Sequence, residues 1–301
     1  MDGKRYLLVT ADDFGIGPAT SQGILDLAAR GLVTGTVLLV NSPYAEDAVR
    51  AWRQARLPLE LGWHPCLTLD RPVLPAAQVP SLVGVDGCFH PLGRFLRRLA
   101  ACAIRVADVR AELRAQYGRF HDLVGYPPTV VNSHHHVQVF HPIGMLLLRV
   151  LQWQRPLPYV RRVREPWRTL VGVPGARRKR LLLALLGGLD ARRQAGKGFP
   201  GNDWLAGITD PPWVADPEFL TRWLMRVPGR VVELTCHPGF RDTSLVGRDC
   251  TADDGHVERR VREHELLRHP SFRAACARAG FTLVSPSGLR SVLSGGHQHA
   301  A

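Results

Sequence analysis

Long apolar runs are missing from this chain. The longest, Leu181-Leu182-Leu183-Ala184-Leu185-Leu186, is far shorter than the ~18–20 residues that span a bilayer, which excludes a transmembrane helix. Lysine is nearly absent. Only Lys4, Lys179 and Lys197 occur, so arginine supplies almost all of the charge that brings the 301-residue chain to +13. Aromatic residues are few, at 7%, and are not interleaved with the arginines. The stacking platform of a nucleic-acid-binding surface is therefore lacking, and no nucleic-acid partner is expected. No CxxC pair occurs among Cys66, Cys88, Cys102, Cys236, Cys250 and Cys276, which leaves a zinc ribbon or thioredoxin-type site unsupported. Reduced, mostly buried thiols are the expectation. There is no internal repeat, and glycine and proline are dispersed rather than clustered, so fibrous and low-complexity classes are excluded. The N-terminus, MDGKRYLLVTADD, has no signal-peptide layout, because its apolar stretch ends in two aspartates without a small-residue cleavage site. A cytoplasmic chain starting near Met1 is expected.

What is present is a globular composition, 45% apolar and 22% charged. Short Val/Leu/Thr-rich runs at residues 6–11, 34–41, 60–64, 129–139, 159–164, 231–237 and 281–285 read as strands. Helical periodicity lies between most of them, at 19–30 (then Gly31), 108–124 (opening on Asp108 and stopping at Gly125), 216–227 and 257–267. Alternation of strand and helix over a whole chain implies a parallel sheet, either a (β/α) barrel or a doubly wound sheet. The polar residues favour the barrel. Asp12, Asp13, Asn41, His64, His134, Arg164 and His237 stand at the C-terminal ends of different strands, which share one face in a barrel. The prediction is an α/β fold with one distorted barrel over residues 1–295, about seven parallel strands, and a disordered tail at 296–301 containing His297 and His299. Residues 70–107 are expected to cover the mouth. The insert at 171–205, with Arg177-Arg178-Lys179-Arg180 before a Leu-rich run, reads either as a basic lid or membrane-surface helix, or as a peripheral helix with leucines packed on the barrel and charges in water. The second reading is favoured.

Two clusters carry chemistry. Thr10-Ala11-Asp12-Asp13-Phe14-Gly15 runs a strand into paired carboxylates, which repel unless a metal or a shared proton relieves them. In Asn132-Ser133-His134-His135-His136-Val137-Gln138, the even positions are all polar and the odd ones mainly apolar. Strand parity then turns Asn132, His134, His136 and Gln138 inward and leaves His135 among valines. With His64 and His237 at two further strand ends, these groups compose a mononuclear zinc-type site with spare groups for acid–base work. His90, His121, His141, His256, His264 and His269 read as ordinary surface or packing residues.

Taken together, these motifs resemble the YdjC family of carbohydrate deacetylases, which includes chitooligosaccharide and hopanoid-biosynthesis-associated deacetylases. The matching elements are Thr10 to Gly15, Leu32-Val33-Thr34 followed by Asn41, Gly62 to His64, Ser133 to Val137, and Cys236 to Phe240, in family order across residues 5–290. Features of both branches occur. Val79 to Val83, Asp86 to Phe89 and Val163 to Pro166 resemble the hopanoid-associated one, and the SHHHV run resembles the other. The resemblance implies a distorted barrel with one divalent metal, zinc or magnesium, held by Asp13, His64 and His134. It implies Asp12 as general base, His237 as general acid in its imidazolium form, and His136 facing substrate or touching a ligand. The implied reaction is removal of an acetyl group from an N-acetylated amino sugar, on an oligosaccharide or a glycolipid. Two positions depart from the family, Asn132 where Asp is common and Gln138 where His is common. Neither can supply the negative charge or the acid–base function of its counterpart. A phosphoesterase, with Arg161, Arg162 and Arg164 holding phosphate, and a non-catalytic basic binding protein on a vestigial barrel are the alternatives. A homodimer is allowed and not specified.

Overall fold

A computed structural model describes residues 4–295. Eight strands occur in this range: β1 (Arg5–Phe14), β2 (Gly35–Leu38), β3 (Glu60–Trp63), β4 (Val130–Val131), β5 (Tyr159–Val160), β6 (Trp204–Ala206), β7 (Val231–Cys236) and β8 (Phe281–Leu283). All pairs are parallel, and the order is β5-β4-β3-β2-β1-β7-β6. Chain order is kept around the sheet without the reversal of a doubly wound fold, so the expected distorted barrel is what forms. β8 does not sit between β7 and β1. It pairs with β1 at residues 5–7, on the edge that β2 occupies higher up at residues 10–14. The seam between β5 and β6 lacks a regular ladder. Asn202 closes it, accepting from the Arg162 amide at 2.8 Å and donating to the Arg162 carbonyl at 2.9 Å. Further bonds run from Val160 N to Pro200 O at 2.8 Å and from Leu205 N to Arg164 O at 2.9 Å. β6, with three residues and no alternation, was not expected from the sequence.

The barrel interior is layered. Tyr6, Leu8, Val37, Val130, Tyr159 and Val231 form an apolar plug at its base, covered by Leu289 of α11 (Pro286–Gly295). Strand period two then carries the same inward face upward, from Leu8 to Thr10 and Asp12, from Val231 to Glu233 and Thr235, and from Tyr159 to Arg161. The outward face, including Leu7, Val9 and Ala11, packs in the main core under helices such as α1 (Pro18–Ala29) and α4 (Val106–Val124). α4 starts before Asp108, whose carboxylate accepts from Ser81 N at 3.0 Å and Ser81 Oγ at 2.8 Å instead of capping its own helix. Gly125 ends α4 in the left-handed region, φ 92°, as expected. Residues 70–107 lie partly over the mouth through α3 (Leu92–Ala100), and the insert forms α7 (Arg177–Gly196). The leucine expectation for that insert is corrected. Leu183 is buried, but Leu181, Leu182, Leu185 and Leu189 face outward. The six cysteines are free, and four of them are buried. No helix among the described residues is long and apolar enough to cross a membrane. The expected tail at 296–301, with His297 and His299, lies outside the described residues.

Candidate metal centre and active site

The two aspartates reach one cavity through a break in strand geometry. The register of β1 against β2 shifts between Ala11 and Phe14, and Asp13 sits at φ 64°. In a regular strand Asp13 would point away from Asp12. The irregularity turns it back, at the strain of a left-handed non-glycine residue, about 1–3 kcal/mol. A close approach brings the next strands in. A Cβ on Gly62 would lie 2.1 Å from the Val130 carbonyl oxygen, so β3 can pack this tightly on β4 only with glycine there. His64 and His134 are thereby neighbours, with ring centroids 5.5 Å apart.

Asp13 Oδ1 lies 3.2 Å from His64 Nε2 and 2.9 Å from His134 Nδ1, and all three residues are buried. The His64 Nδ1–H donates to the Asn132 carbonyl at 3.0 Å, which turns Nε2 toward Asp13. His134 Nε2 has no hydrogen-bond partner. Two imidazoles and a carboxylate converging on one point, with one ring tautomer fixed by a backbone carbonyl, fit a divalent transition metal. The other oxygen, Asp13 Oδ2, accepts from Arg260 at 2.7 Å, and Arg260 also reaches Asp249 at 3.3 Å. Burial alone would raise the Asp13 pKa, but Arg260 and His134 hold it well below the usual range. A second potential donor group, His134, His135 and Asp249, shares His134 with the first.

Asp12 is bound differently. Arg161 grips it with two bonds, 2.6 and 2.8 Å, while Thr235 Oγ1 donates at 3.0 Å and Asn132 Nδ2 at 3.2 Å. Burial pushes this carboxyl up and the Arg161 guanidinium pulls it down further, so Asp12 stays ionised. Behind it Arg161 Nε donates to Glu233 at 2.8 Å, and the Tyr159 hydroxyl donates to Glu233 at 2.9 Å. The line Asp12–Arg161–Glu233–Tyr159 is a buried charged layer on top of the apolar plug.

His237 Nε2 stands 3.9 Å from Asp12 Oδ2. Its Nδ1 accepts from Arg259 at 3.0 Å, and its backbone amide donates to Glu263. A ring nitrogen that accepts carries no proton, so His237 is neutral with its proton on Nε2. Burial and the Arg259 charge push its pKa well down. The imidazolium expectation is corrected accordingly.

The histidine run also differs from the sequence reading. β4 stops at Val131, and His134–Val139 is a 3-10 turn in which His135 and His136 both have φ of 55°. Parity holds through Asn132 and then fails. His135 is exposed and lines the cavity, its Nδ1 2.9 Å from Thr68 Oγ1, rather than sitting among valines. His136 is buried with Nδ1 unpartnered and faces the same cavity, its pKa pushed down to about 3 by burial and by Arg161. Gln138 is turned away, accepting from the Ser133 hydroxyl. Asn41 braces the 70–107 loop through the Leu69 and Arg71 carbonyls at 2.9 and 3.2 Å. Arg164 stacks on Trp204, 4.2 Å from its ring centre. None of these three lines the cavity. With Arg161 enclosed by two carboxylates, Arg162 bonded to the Phe199 carbonyl at 3.0 Å and Arg164 on Trp204, the arginines that motivated a phosphate reading are engaged elsewhere.

The sequence reading missed Arg260, Asp249, Arg259 and His256, all of which line the cavity of about 170 Å³. They sit on α9 (His256–Arg268) and the loop before it, where helix periodicity gives no sign that one face points into a site. Glu233 did carry a signal. It is an acid in the apolar run Val231–Cys236, in phase with Thr235 and His237.

The chain matches the profile described as YdjC-like protein over residues 6–278. It belongs to the YdjC-like family. It is 31% identical over 286 residues to the chitooligosaccharide deacetylase of Serratia marcescens, covering 94% of this chain and 98% of that one. It is 30% identical over 285 residues to the carbohydrate deacetylase of Geobacillus stearothermophilus, covering 93% and 96%. A crystal structure from Enterococcus faecalis V583, of a protein named for cellobiose-phosphate cleavage, superposes with a TM-score of 0.74 at 27% identity, covering 95% and 99%. The family is the one expected from the ADDFG and SHHHV motifs, and the barrel is the fold it implied.

Proposed function

We propose that this YdjC-like chain hydrolyses the acetamide of an N-acetylated amino sugar, with Asp13, His64 and His134 as the seat of one divalent ion, Asp12 as base and carrier of the water proton, and His237 as a neutral hydrogen-bond donor. Its full-length relatives support the broader statement, that the chain is a carbohydrate deacetylase. The observation that carries the finer reading is the division of labour between adjacent carboxylates. Asp13 shares one oxygen with two imidazoles, whereas Asp12 is withheld by Arg161 and keeps its charge.

A bound divalent ion supplies Lewis acidity at the acyl carbonyl and lowers the pKa of water, toward about 7 for zinc. The chain's own groups do the rest. Asp12 takes a proton from the attacking water. Arg161, Thr235 and Asn132 fix the carboxylate so that it need not reorient. Asp12 then returns that proton to the leaving amine, while the neutral His237 Nε2–H, held in that tautomer by Arg259, faces the same space and donates a hydrogen bond to the reacting group. The carbon–nitrogen bond breaks and free amine and acetate leave.

The test is elemental analysis of tag-free protein and of His134→Ala, alongside acetate release from N-acetylated chitooligosaccharides. About one metal per wild-type chain, lost in the variant together with turnover, is the expected result. Turnover that survives exhaustive chelation would overturn the metal assignment.

A further inference from the structure

α7 is built with polar groups inside and leucines outside. Its buried side holds Arg180, Leu183, Gly187, Asp190, Ala191 and Gln194. Arg180 is fully enclosed, bonded to Glu165 and to the carbonyls of Thr169 and Val173. Gly187 sits where a Cβ would lie 1.6 Å from the Val163 carbonyl oxygen, so this side of the helix is pressed onto the barrel and cannot roll over. The opposite side therefore presents Leu181, Leu182, Leu185 and Leu189, 42–64% exposed. Trp167 and Val171 of α6 (Trp167–Gly172), 71% and 55% exposed, extend the strip. Leu181, Trp167 and Val171 also line a shallow apolar groove of about 260 Å³, rimmed by Arg177 and Arg178. Six of the large exposed apolar side chains among the described residues thus lie on two consecutive helices.

The charge around the strip has one sign. From residue 166 to 202 there are eight Arg and Lys residues and a single acid, Asp190, which is buried. Arg177 and Arg178 stand before the leucines and Arg192 and Arg193 after them, all exposed. A leucine strip bracketed by arginine pairs, with a tryptophan at its end, has the chemistry of a helix that lies in an anionic lipid interface. Such a face is a poor match for a second copy of itself, which would bring like charges together.

We infer that the outer face of α6 and α7 docks this chain onto an anionic lipid surface, with the leucines and Trp167 in the acyl boundary and the arginine pairs on lipid phosphates. Lys179 of the same helix lines the catalytic cavity, so docking sets the cavity beside the headgroup layer. The inference is independent of the reaction proposed above.

The experiment is flotation of the full chain with vesicles of pure phosphatidylcholine and of phosphatidylcholine mixed equally with phosphatidylglycerol. The chain is expected to float with the mixed vesicles, not with the neutral ones, and to be released by salt. The triple variant Leu182→Gln/Leu185→Gln/Leu189→Gln should lose on the order of 100-fold in partitioning. Arg178→Gln/Arg192→Gln should lose about 30-fold. All these side chains are exposed, so unchanged circular dichroism melts and unchanged acetate release are expected of both variants. Failure of the wild type to float, or a leucine variant that floats as well as wild type, overturns the inference. So does a wild-type dimer by light scattering that ignores vesicles and becomes a monomer in the leucine variant, because the face is then an interface between copies.

Discussion

Each side of the barrel mouth is centred on one buried aspartate, and the two aspartates end in opposite states. On one side Asp13, His64 and His134 meet around one carboxylate oxygen, His134 Nε2 has no hydrogen-bond partner, and Arg260 takes only the other oxygen of Asp13. On the other side Asp12 has both oxygens bonded by Arg161, Thr235 and Asn132, and Arg161 is itself closed by Glu233. The first arrangement is one that a cation could complete. The second is complete already and holds a charge in place. Neighbours one residue apart acquire different roles from environment alone, which is how carboxylate pairs divide work generally.

The largest effect should come from opening the first side. Asp13→Asn removes the only carboxylate from the donor set, so metal content by elemental analysis should fall to background and acetate release with it. Asp12→Asn should break the symmetry of that result, keeping the metal and losing about 10²–10⁴-fold in kcat. A near-normal rate in Asp12→Asn would sink the base assignment. Arg161→Gln leaves Asp12 and Glu233 buried without their cation, a cost of about 3–5 kcal/mol in chemical denaturation. The sign with pH follows from the direction of the Asp12 shift. Its folded pKa lies below the unfolded value near 3.8, so the stabilisation is present above about pH 4 and fades as pH falls through the folded value. The variant's deficit should therefore be widest at neutral pH and narrow in acid.

Asp190 supplies the control, a buried carboxylate whose side-chain hydrogen bond comes from a neutral amide rather than an arginine. One oxygen accepts from Gln194 Nε2 at 2.8 Å, the other has no partner, and burial pushes its pKa up to about 6 from 3.8. A raised carboxylate pKa means that the fold prefers the neutral form, so this stabilisation is full below pH 4 and is lost as pH rises through about 6. Asp190→Asn should raise the unfolding free energy at pH 8 by a few kcal/mol at most, seen as a higher melting temperature, and change little at pH 4.

Much of the site is legible in the chain because strand ends mark it. Asp12, Asp13, His64, His134 and His237 each close an apolar run, and a barrel gathers such ends onto one face. Glu233 was equally legible by parity, an acid on the inward phase of an apolar strand. The 3-10 turn was not. Alternation from Asn132 to Gln138 fits an extended strand as well as a turn, and what ends the strand is the left-handed pair His135 and His136, both at φ 55°, with the His136 amide turned back onto the Ser133 carbonyl at 2.9 Å. Arg259 and Arg260 were hidden because a helix wheel cannot show that consecutive arginines enter the same cavity from the rim.

The sequence by itself determined the family, the parallel barrel and the candidate metal-binding trio, because these rest on local period and on residue types whose chemistry is fixed. Tertiary structure alone decided which aspartate is free to share a metal, which tautomers His64 and His237 adopt, and which side of α7 meets water. Each of these depends on partners distant in sequence: Arg161 and Arg260 for the carboxylates, the Asn132 carbonyl and Arg259 for the imidazoles, and Val163 pressed against Gly187 for the helix. A charge, a proton position or an exposed face is set by what lies within a few ångströms in space, and the order of residues along the chain does not carry that distance.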